Sequence, residues 1–230
     1  MIVVILAGGE GKRLRPYTQI FPKPLLPIGN KPVLEIILEK LKIQGIKEVI
    51  LSVNYKSNLI EQFFGNGLDR GVNIIYSKED TPLGTGGPIK LLKNALTEDF
   101  FVMNGDLITE INVREVAEFH KKMGAEMTIV TKKIEIPVSF GVVKGGEDYV
   151  EKVEEKPVIN LEINTGMYML KPGVLEYIPN NQQFKMTDLV EEIKKRGGKV
   201  AKFLYSGKWI DIGQINDYEE AQKDYYDKDN

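Results

Sequence analysis

The sequence of 230 residues contains no cysteine and only one histidine, His120. Without thiols the chain can form neither disulfide bonds nor thiolate metal sites, and a single histidine argues against a histidine-based metal site or a catalytic triad. His120 lies in the helical pattern REVAEFHKKM and is expected at the surface or boundary of that helix, without a functional role. Any catalysis must therefore use carboxylates, lysines, arginines and metal ions.

An excess of charge of either sign is also missing. The 31 Lys and Arg residues nearly balance the 33 Asp and Glu residues, which gives a net charge of −2. This composition predicts no binding to nucleic acid or to an anionic membrane. The apolar start MIVVILAGG is too short for a membrane span and lacks the basic residues of a signal peptide, so a cytoplasmic protein is expected.

Strand and helix patterns alternate through residues 1–125. Apolar runs predict four buried strands: IVVILA, EVILSVN, VNIIYS and DFFVMNGD. Each of the first three is followed by a segment with helical spacing, and these segments are residues 33–41, SNLIEQFFGNG and GPIKLLKNAL. Such alternation predicts an α/β fold with a Rossmann-like, mostly parallel sheet flanked by helices.

Residues 126–230 have a different pattern, in which short strands are followed by two helices. The predicted strands are MTIVTKK, FGVVKG, VEKVEEKP and INTGMYML, and the predicted helices are MTDLVEEIKKRG and NDYEEAQKDYY. We expect a smaller, mixed β region that joins the same sheet. No repeat or low-complexity segment divides the chain, so residues 1–230 are predicted to form a single domain.

A glycine-rich turn, LAGGEG, follows the first predicted strand. Its glycines let backbone N–H groups approach an anion without interference from Cβ atoms, and Arg13 and Lys23 add positive charge nearby. The turn is not a Walker loop, because Leu6 and Arg13 stand where that loop needs glycine and a hydroxyl residue. Nor is it the dinucleotide fingerprint, because Leu14 replaces a small residue and prolines oppose a helix. It therefore predicts a phosphate-binding turn of another type.

Two aspartates follow apolar segments that end in turns. Asp106 ends VMNGD, and Asp211 lies between apolar residues in KWIDIG, next to Trp209. A carboxylate among apolar residues is costly unless it is paired or bound to metal, and Mg²⁺ prefers one or two carboxylates together with substrate phosphates. Although a lone GD is more often a simple turn, the pair suggests shared Mg²⁺ coordination. The segments TPLGTGGPIK and VEEKP can be read either as ordinary loops or as ligand contacts.

Together these segments resemble the sugar-1-phosphate nucleotidyltransferase family, the NDP-sugar pyrophosphorylases. The family's opening signature, L-A-G-G-x-G-x-R-L-x-P-x-T followed by P-K-P-L, is met by residues 6–18 and 22–25, with Lys12 where Thr or Ser is more usual. Further matches follow in the family's order: PLGTGG (82–87), NGD (104–106), FGVV (140–143), EEKP (154–157), NTGMYML (164–170) and WIDIG (209–213). The resemblance covers nearly the whole chain and implies the family's Rossmann-like fold.

The resemblance also implies a reaction. A nucleoside triphosphate binds, an oxygen of a sugar 1-phosphate attacks its α-phosphorus, and pyrophosphate leaves. No side chain has to deprotonate the nucleophile, because a phosphate monoester already carries about −1.5 to −2 charge at neutral pH. Arg13, Lys23, Asp106 and Asp211 would then be catalytic, the two aspartates through Mg²⁺. The nucleotide would be bound by Leu6, Ala7, Gly8, Gly9, Gly11, Arg13, Lys23, Gly84, Thr85 and Asp106, and the sugar phosphate by Gly141, Glu155, Lys156, Asn164 and Trp209.

The segments around the implied base and sugar sites look most similar to guanylyltransferases that act on mannose, heptose or glucosamine 1-phosphate. GTP is therefore the favoured nucleotide, and the Gln-containing segment usual in thymidylyl and uridylyl branches is absent. No residue decides the sugar. A thymidylyl-, uridylyl- or cytidylyltransferase of the same fold and a catalytically silent subunit that binds a nucleotide sugar stay open as alternatives. A homo-oligomer is compatible with the sequence, and no fused C-terminal β-helix module is expected.

Overall fold

Seven of the thirteen strands form a central sheet in the computed structural model, which describes residues 1–226. The strands are β1 (Ile2–Leu6), β2 (Pro27–Ile28), β3 (Lys31–Pro32), β4 (Glu48–Val53), β5 (Asn73–Lys78), β6 (Phe100–Asn104), β7 (Leu107–Thr109), β8 (Met127–Pro137), β9 (Val142–Gly145), β10 (Val150–Glu154), β11 (Val158–Leu170), β12 (Val200–Leu204) and β13 (Trp209–Asp211). The helices are α1 (Tyr17–Ile20), α2 (Val33–Ile43), α3 (Ser57–Phe64), α4 (Gly87–Lys90), α5 (Val113–Met123), α6 (Met186–Lys195) and α7 (Ile215–Tyr226). Short 3₁₀ turns cover Lys12–Leu14, Lys23–Leu25, Leu68–Arg70 and Pro172–Tyr177.

The central sheet has the order β12-β8-β11-β6-β1-β4-β5. Strands β6, β1, β4 and β5 are parallel to one another, β12 is parallel to β8, and β11 is antiparallel to both β8 and β6. This mixed, mostly parallel sheet with flanking helices confirms the predicted α/β fold. Because β6 pairs with β11, residues from both halves of the chain share one sheet, as in the Met103–Met167 pair.

Two apolar layers cover the sheet, one on each face. Successive strand side chains point to opposite faces, so Ile5 packs in one layer with α2, α3 and α5, while Val4 packs in the other with α4 and α6. Both residues are fully buried. The central strands therefore form a rigid platform, and their carboxyl ends share one edge.

The helix predicted through residues 87–96 is shorter than expected, since α4 ends at Lys90. The chain then continues in turns, in which Leu92 and Ala95 donate to the carbonyls three residues earlier. This path allows Leu92 and Leu96 to enter the apolar layer, so tertiary burial overrides local helical spacing. Over residues 1–226, none of the helices has both the length and the apolar composition that crossing a membrane requires.

His120 is fully buried, so the expectation of a surface or boundary position was wrong. It lies on the face of α5 that carries Val113 and Val116, and this i, i+3, i+7 spacing is the signal of burial. Its Nδ1 lies 2.8 Å from Thr128 Oγ1, and its Nε2 has no hydrogen-bond partner within residues 1–226. Burial lowers the pKa of His120, an effect that the Asp99 carboxylate opposes.

We expect His120 to make stability depend on pH. The pKa of His120 is lower in the folded protein than its ordinary value of about 6.5. Its contribution to the free energy of unfolding is therefore fully present above about pH 6.5. That contribution is lost at lower pH, because the unfolded chain then takes up a proton that the folded chain does not. Between pH 7 and 5.5, His120 should lower the free energy of unfolding measured by urea titration by up to about 1.4 kcal/mol per pH unit, against an opposite contribution from Asp211, whose pKa is raised in the folded protein. His120→Gln should flatten that slope, and an equal slope in the variant would contradict the assignment.

Candidate active site

A cleft of about 350 Å³ opens at the edge where the parallel strands β1, β4, β5 and β6 end. Its lining residues are Leu6, Ala7, Gly8, Gly9, Lys23, Pro24, Ser52, Asn54, Glu79, Pro82, Gly84, Thr85, Pro88, Asn104, Gly105 and Asp106. Of the residues predicted to bind nucleotide, all except Gly11 and Arg13 are in this set. The carboxyl edge of such sheets is the usual position of ligand sites.

The glycine-rich turn forms one wall of the cleft. It is anchored by hydrogen bonds from Ala7 N to Ser52 O (2.7 Å) and from Gly105 N to Leu6 O (2.9 Å). A Cβ atom on Gly8 would lie 2.9 Å from Glu79 Oε1, so only glycine fits there without movement of that side chain. A Cβ atom on Gly9, by contrast, would meet no neighbour within 4 Å, because the backbone there faces open space.

Gly11 serves a different purpose from the glycines before it. Its backbone is left-handed (φ +62°), and a Cβ atom would lie 2.8 Å from Thr18 Cγ2. The Thr18 hydroxyl donates to Gly11 O at 2.9 Å, and Tyr55 Oη donates to Thr18 O at 3.0 Å. Gly11 therefore fixes how the turn folds back on itself, outside the cleft lining.

Lys23 extends into the cleft from a 3₁₀ turn, and prolines stand on both sides of it in the sequence, Pro22 and Pro24. Its side chain is only 13% exposed, and its ammonium donates a hydrogen bond to Asp106 Oδ2. The same Nζ atom lies 4.0 Å from Asp211 Oδ1. A nearly buried cation thus lies between two carboxylates.

Asp106 and Asp211 meet because β7 and β13 form a short antiparallel ladder. Asp211 is opposite Leu107 in that ladder, and Ile212 N donates to Asp106 O at 3.1 Å. Burial, together with the negative charge of Asp106, raises the pKa of Asp211 to about 6, although the Lys23 ammonium opposes the shift. Two segments that are distant in sequence are thereby joined at one site.

The donor set of this pair fits a divalent cation. Oδ1 of Asp106 and Oδ1 of Asp211 are both buried and lack a hydrogen-bond partner within residues 1–226. No group of three or more His, Cys, Asp or Glu residues in that range could hold a metal ion by itself. Mg²⁺ is commonly bound by one or two carboxylates, while water or phosphate oxygens fill its remaining coordination positions.

Arg13 lies beside Asp211, outside the cleft. With Trp209, Gly213 and Asp217 it lines a second cavity, also of about 350 Å³. Its guanidinium lowers the pKa of Asp211, against the larger effects of burial and Asp106. Arg13 can therefore contribute positive charge to the aspartate pair from the side of this second cavity.

The loop around Gly84 and Thr85 also lines the cleft. Gly84 is left-handed (φ +82°), and a Cβ atom there would lie 2.7 Å from Phe184 O. Gly86 N donates to that same carbonyl at 2.8 Å, and Thr85 Oγ1 accepts from Met186 N at 3.1 Å. The loop is therefore held rigidly against the chain that leads into α6.

The residues predicted to bind the sugar phosphate lie in two places, and none of them belongs to the cleft lining. Gly141 and Glu155 are adjacent, since a Cβ atom on Gly141 would lie 3.2 Å from Glu155 Oε2. The neighbouring Lys156 is exposed and left-handed (φ 44°). Elsewhere, Asn164 Nδ2 donates to Tyr168 Oη at 2.8 Å, and Trp209 Nε1 donates to Thr165 O at 3.0 Å. Their role in sugar binding stays a prediction.

Sequence reasoning missed four polar residues of the cleft: Ser52, Asn54, Glu79 and Asn104. Burial raises the pKa of Glu79. The carboxylate of Glu79 accepts two hydrogen bonds, from Leu83 N to Oε2 at 2.9 Å and from Ser52 Oγ to Oε1 at 3.4 Å. Its backbone carbonyl accepts a third, from Asn54 Nδ2 at 2.8 Å. All four residues lie at or directly after the carboxyl ends of parallel strands, so the rule that pointed to Asp106 applied to them as well.

The fold and the cleft define a class of α/β proteins with a ligand-sized cleft at the carboxyl edge of a mostly parallel sheet. The family model described as "Nucleotidyl transferase" matches residues 2–228. The chain belongs to the nucleotidyl transferase family.

Three relatives illustrate the similarity. The mannose-1-phosphate guanyltransferase of Yarrowia lipolytica is 39% identical over 223 residues, which are 94% of this chain and 61% of that protein. HddC from Yersinia pseudotuberculosis, solved in a complex with GMP-PN, is 29% identical with a TM-score of 0.76, over 97% of this chain and 99% of that one. A Bacillus anthracis structure, described provisionally as a glucose-1-phosphate thymidylyltransferase in complex with a sucrose, is 26% identical with a TM-score of 0.80. The match covers 99% of this chain and 96% of that one. The chain spans 61–65% of the length of the curated relatives that it matches.

Proposed function

We propose that the protein is a sugar-1-phosphate nucleotidyltransferase that uses GTP and Mg²⁺. The observation that carries this proposal is the position of Lys23, between Asp106 and Asp211, next to a cleft walled by a glycine-rich turn. The names of the curated relatives make mannose 1-phosphate the first sugar substrate to test. The chain spans only 61% of the length of the Yarrowia lipolytica relative. The activity is therefore a proposal for this chain and is not taken over from that protein.

In the proposed reaction, an oxygen of the sugar 1-phosphate forms a bond to the α-phosphorus of GTP. The bond from that phosphorus to the bridging oxygen of the β-phosphate breaks, and pyrophosphate leaves with the electron pair. The chain has to orient two anionic substrates and neutralise the charge that grows on pyrophosphate. Gly8 and Gly9 offer backbone N–H groups, while Lys23 and Arg13 offer cations.

Asp106 and Asp211 would hold the Mg²⁺ ion. When bound, the ion supplies charge neutralisation and orientation for the phosphates. Their buried oxygens without hydrogen-bond partners among residues 1–226 support this role, as does the raised pKa of Asp211, because two carboxylates close together are stabilised by a cation between them. Lys23 holds the Asp106 carboxylate in place through its hydrogen bond.

Glu79 gives a physical reason for choosing GTP. It lies in the cleft lining beside the Gly84 loop, where the base is predicted to bind. An ionised carboxylate is an acceptor only, and among the common bases guanine presents two adjacent donors, N1–H and the N2 amino group. Uracil and thymine present a single N3–H donor between two carbonyl oxygens, which would repel a carboxylate.

Glu79→Gln should therefore weaken base selection. Glutamine keeps an oxygen that can accept from Leu83 N, but it replaces one acceptor of the carboxylate by a donor. We expect kcat/KM for GTP to fall about 10- to 100-fold, the range of a hydrogen bond to a charged group. The preference for GTP over ITP, which lacks the N2 amino group, should shrink as well. The exposed neighbour variant Asp80→Asn is the control, and an unchanged GTP/ITP ratio in Glu79→Gln would refute the role.

Lys156 should act on the other substrate. Lys156→Asn removes the charge and keeps a residue type that tolerates left-handed backbone. We expect KM for the sugar 1-phosphate to rise about tenfold or more, as for a lost hydrogen bond between charged groups, with a smaller change in KM for GTP. Lys133→Asn, another exposed lysine, is the control. Equal losses for both substrates would count against Lys156.

A pyrophosphate-release assay tests the proposal as a whole. GTP, ATP, UTP, dTTP and CTP are each combined with mannose, glucose, glucosamine and heptose 1-phosphates. The proposal expects fastest release with GTP. Fastest release with dTTP would favour a thymidylyltransferase, the alternative that the Bacillus anthracis structure supports. The absence of release in every combination would favour a catalytically silent subunit that binds nucleotide sugars.

A further inference from the structure

Lys23 lies in a stretch that contains four prolines, which we name the proline segment (residues 22–32). The segment forms the 3₁₀ turn Lys23–Leu25 and then the hairpin of β2 and β3. Proline rings hold φ at about −65°, so this backbone has few soft torsions. A hydrogen bond from Leu26 N to Lys23 O at 3.0 Å closes the turn. A shift of the hairpin would therefore be passed on to Lys23.

The hairpin is poorly held by its own hydrogen bonds. Each of its strands has two residues, and Pro27 is opposite Pro32. Neither proline has an N–H group, so this pair contributes no ladder hydrogen bond. A two-stranded hairpin is only marginally stable by itself in water. The position of the proline segment therefore depends on what packs against it.

Helix α7 supplies hydrogen-bonding partners to the backbone of the hairpin. Pro27 O accepts from Tyr218 Oη at 2.7 Å and from Gln222 Nε2 at 2.7 Å. The same glutamine accepts from Gly29 N, through Oε1, at 2.9 Å. Because Tyr218 and Gln222 are four residues apart, they lie on one face of α7. That face fixes the backbone of the hairpin at two points.

The turn of the hairpin allows the helix to approach closely. Gly29 is left-handed (φ +60°), and a Cβ atom there would collide with the ring of Tyr225. Tyr225 Oη donates to Asn30 Oδ1 at 2.7 Å. The third side chain of the same helix face thus packs directly against the turn.

Tyr218 also contacts the chain that precedes Lys23. The centroid of its ring lies 5.7 Å from that of Tyr17 in α1, and Tyr218 is only 8% exposed. Helix α7 itself begins four residues after Asp211. The helix is therefore joined through the backbone to Asp211 and packs on both flanks of Lys23, whose Nζ lies 4.0 Å from Asp211 Oδ1.

We infer that Tyr218 and Gln222 are positioning residues for Lys23. Neither belongs to the cleft lining, so they act on the reaction through the place at which the Lys23 ammonium meets the aspartate pair. The inference rests on the proposed function, in which that ammonium neutralises phosphate charge. A misplacement of about 1 Å can cost about 10²-fold in rate, so the loss of one anchor should be measurable in kcat.

A double-mutant cycle tests whether the effect passes through Lys23. Tyr218→Phe keeps the ring and removes the hydroxyl donor, and we expect kcat with GTP and mannose 1-phosphate to fall about tenfold, with a smaller change in KM for GTP. In the Lys23→Ala background the same change should cost nothing further. Tyr76→Phe is the matched control, since Tyr76 Oη also donates to a carbonyl, Gly65 O, at 2.7 Å but lies on the edge strand β5. Wild-type kcat in Tyr218→Phe, or an equal loss in both backgrounds, would overturn the inference.

Chemical labelling of lysines follows Lys23 without an enzymatic readout. Its side chain is 13% exposed and its ammonium is hydrogen-bonded to a carboxylate, so reductive methylation at low conversion should modify it slowly in the wild type. Tyr218→Phe and Gln222→Ala should raise that rate several-fold relative to the exposed Lys12, and Tyr76→Phe should not.

The labelling separates this inference from the proposed function. A wild type that releases no pyrophosphate would reject the proposed function alone, because the rate at Lys23 still reports the two anchors. An unchanged rate at Lys23 in both folded anchor variants would overturn the inference. An equal rise at all lysines would overturn it as well, because the two residues would then support the fold in general and not the position of Lys23.

Discussion

Replacing Lys23 by alanine is expected to lower kcat by about 10²- to 10³-fold while the fold is retained, as for other groups that stabilise charge in a transition state. Lys23 supplies positive charge to the cleft lining, and its ammonium already lies between two carboxylates, hydrogen-bonded to one and 4.0 Å from the other. Because it is nearly buried, its charge is poorly screened by water, which increases its effect on phosphate oxygens.

Single-turnover and steady-state rates with saturating GTP and mannose 1-phosphate measure this effect. Lys12→Ala is the matched control, because Lys12 belongs to the same N-terminal segment but is exposed and pairs with Glu10 at 3.3 Å. It should keep kcat within about threefold, since exposed ion pairs contribute little. A folded Lys23→Ala protein with wild-type kcat would remove Lys23 from the mechanism.

Asp106→Asn should lose activity to a similar extent, for a different reason. The change keeps the shape of the side chain but removes one of the two charges that would hold the cation. We expect kcat to fall by about 10²-fold or more, and the Mg²⁺ concentration needed for half-maximal turnover to rise. Binding of Mn²⁺ followed by electron paramagnetic resonance should weaken in the same variant, which gives a readout that does not depend on turnover.

Asp69→Asn, an exposed aspartate on the Leu68–Arg70 turn, is the control for loss of a negative charge. It should bind Mn²⁺ and turn over like the wild type. Unchanged Mn²⁺ affinity and Mg²⁺-dependent activity in a folded Asp106→Asn protein would mean that the aspartate pair does not hold the metal.

The sequence predicted the parts of the site that local chemistry determines. Glycines directly after a buried strand predict a turn of close approach, and a Cβ atom on Gly8 would lie 2.9 Å from Glu79 Oε1. That this turn binds phosphate stays a prediction. Asp106 follows β6, a parallel strand, so its place at the carboxyl edge follows from the strand pattern. Sequence resemblance, more than spacing, brought Gly84 and Thr85 into the expected site.

Features that depend on distant pairing were beyond local patterns. The sequence suggested that Asp211 acts together with Asp106, but no local signal predicts the ladder of three residue pairs through which β13 adds to β7 and brings them together. Glu79 was overlooked because its sequence, SKEDT, reads as a charged loop, whereas the fold turns its carboxylate into the cleft and partly buries it. His120 was misjudged because histidine is often at a surface, although its spacing from Val113 and Val116 marks the buried face of α5.

The proposed function depends above all on attack of the sugar phosphate at the α-phosphorus of GTP, and isotope transfer follows that step directly. Mannose 1-phosphate labelled with ¹⁸O at its three non-bridging phosphate oxygens is turned over with unlabelled GTP and Mg²⁺, and the products are weighed by mass spectrometry. We expect GDP-mannose that retains all three labelled oxygens, and pyrophosphate that carries none. Label in the pyrophosphate, or no nucleotide sugar from folded wild-type protein with any of the four sugar phosphates, would contradict the proposed reaction.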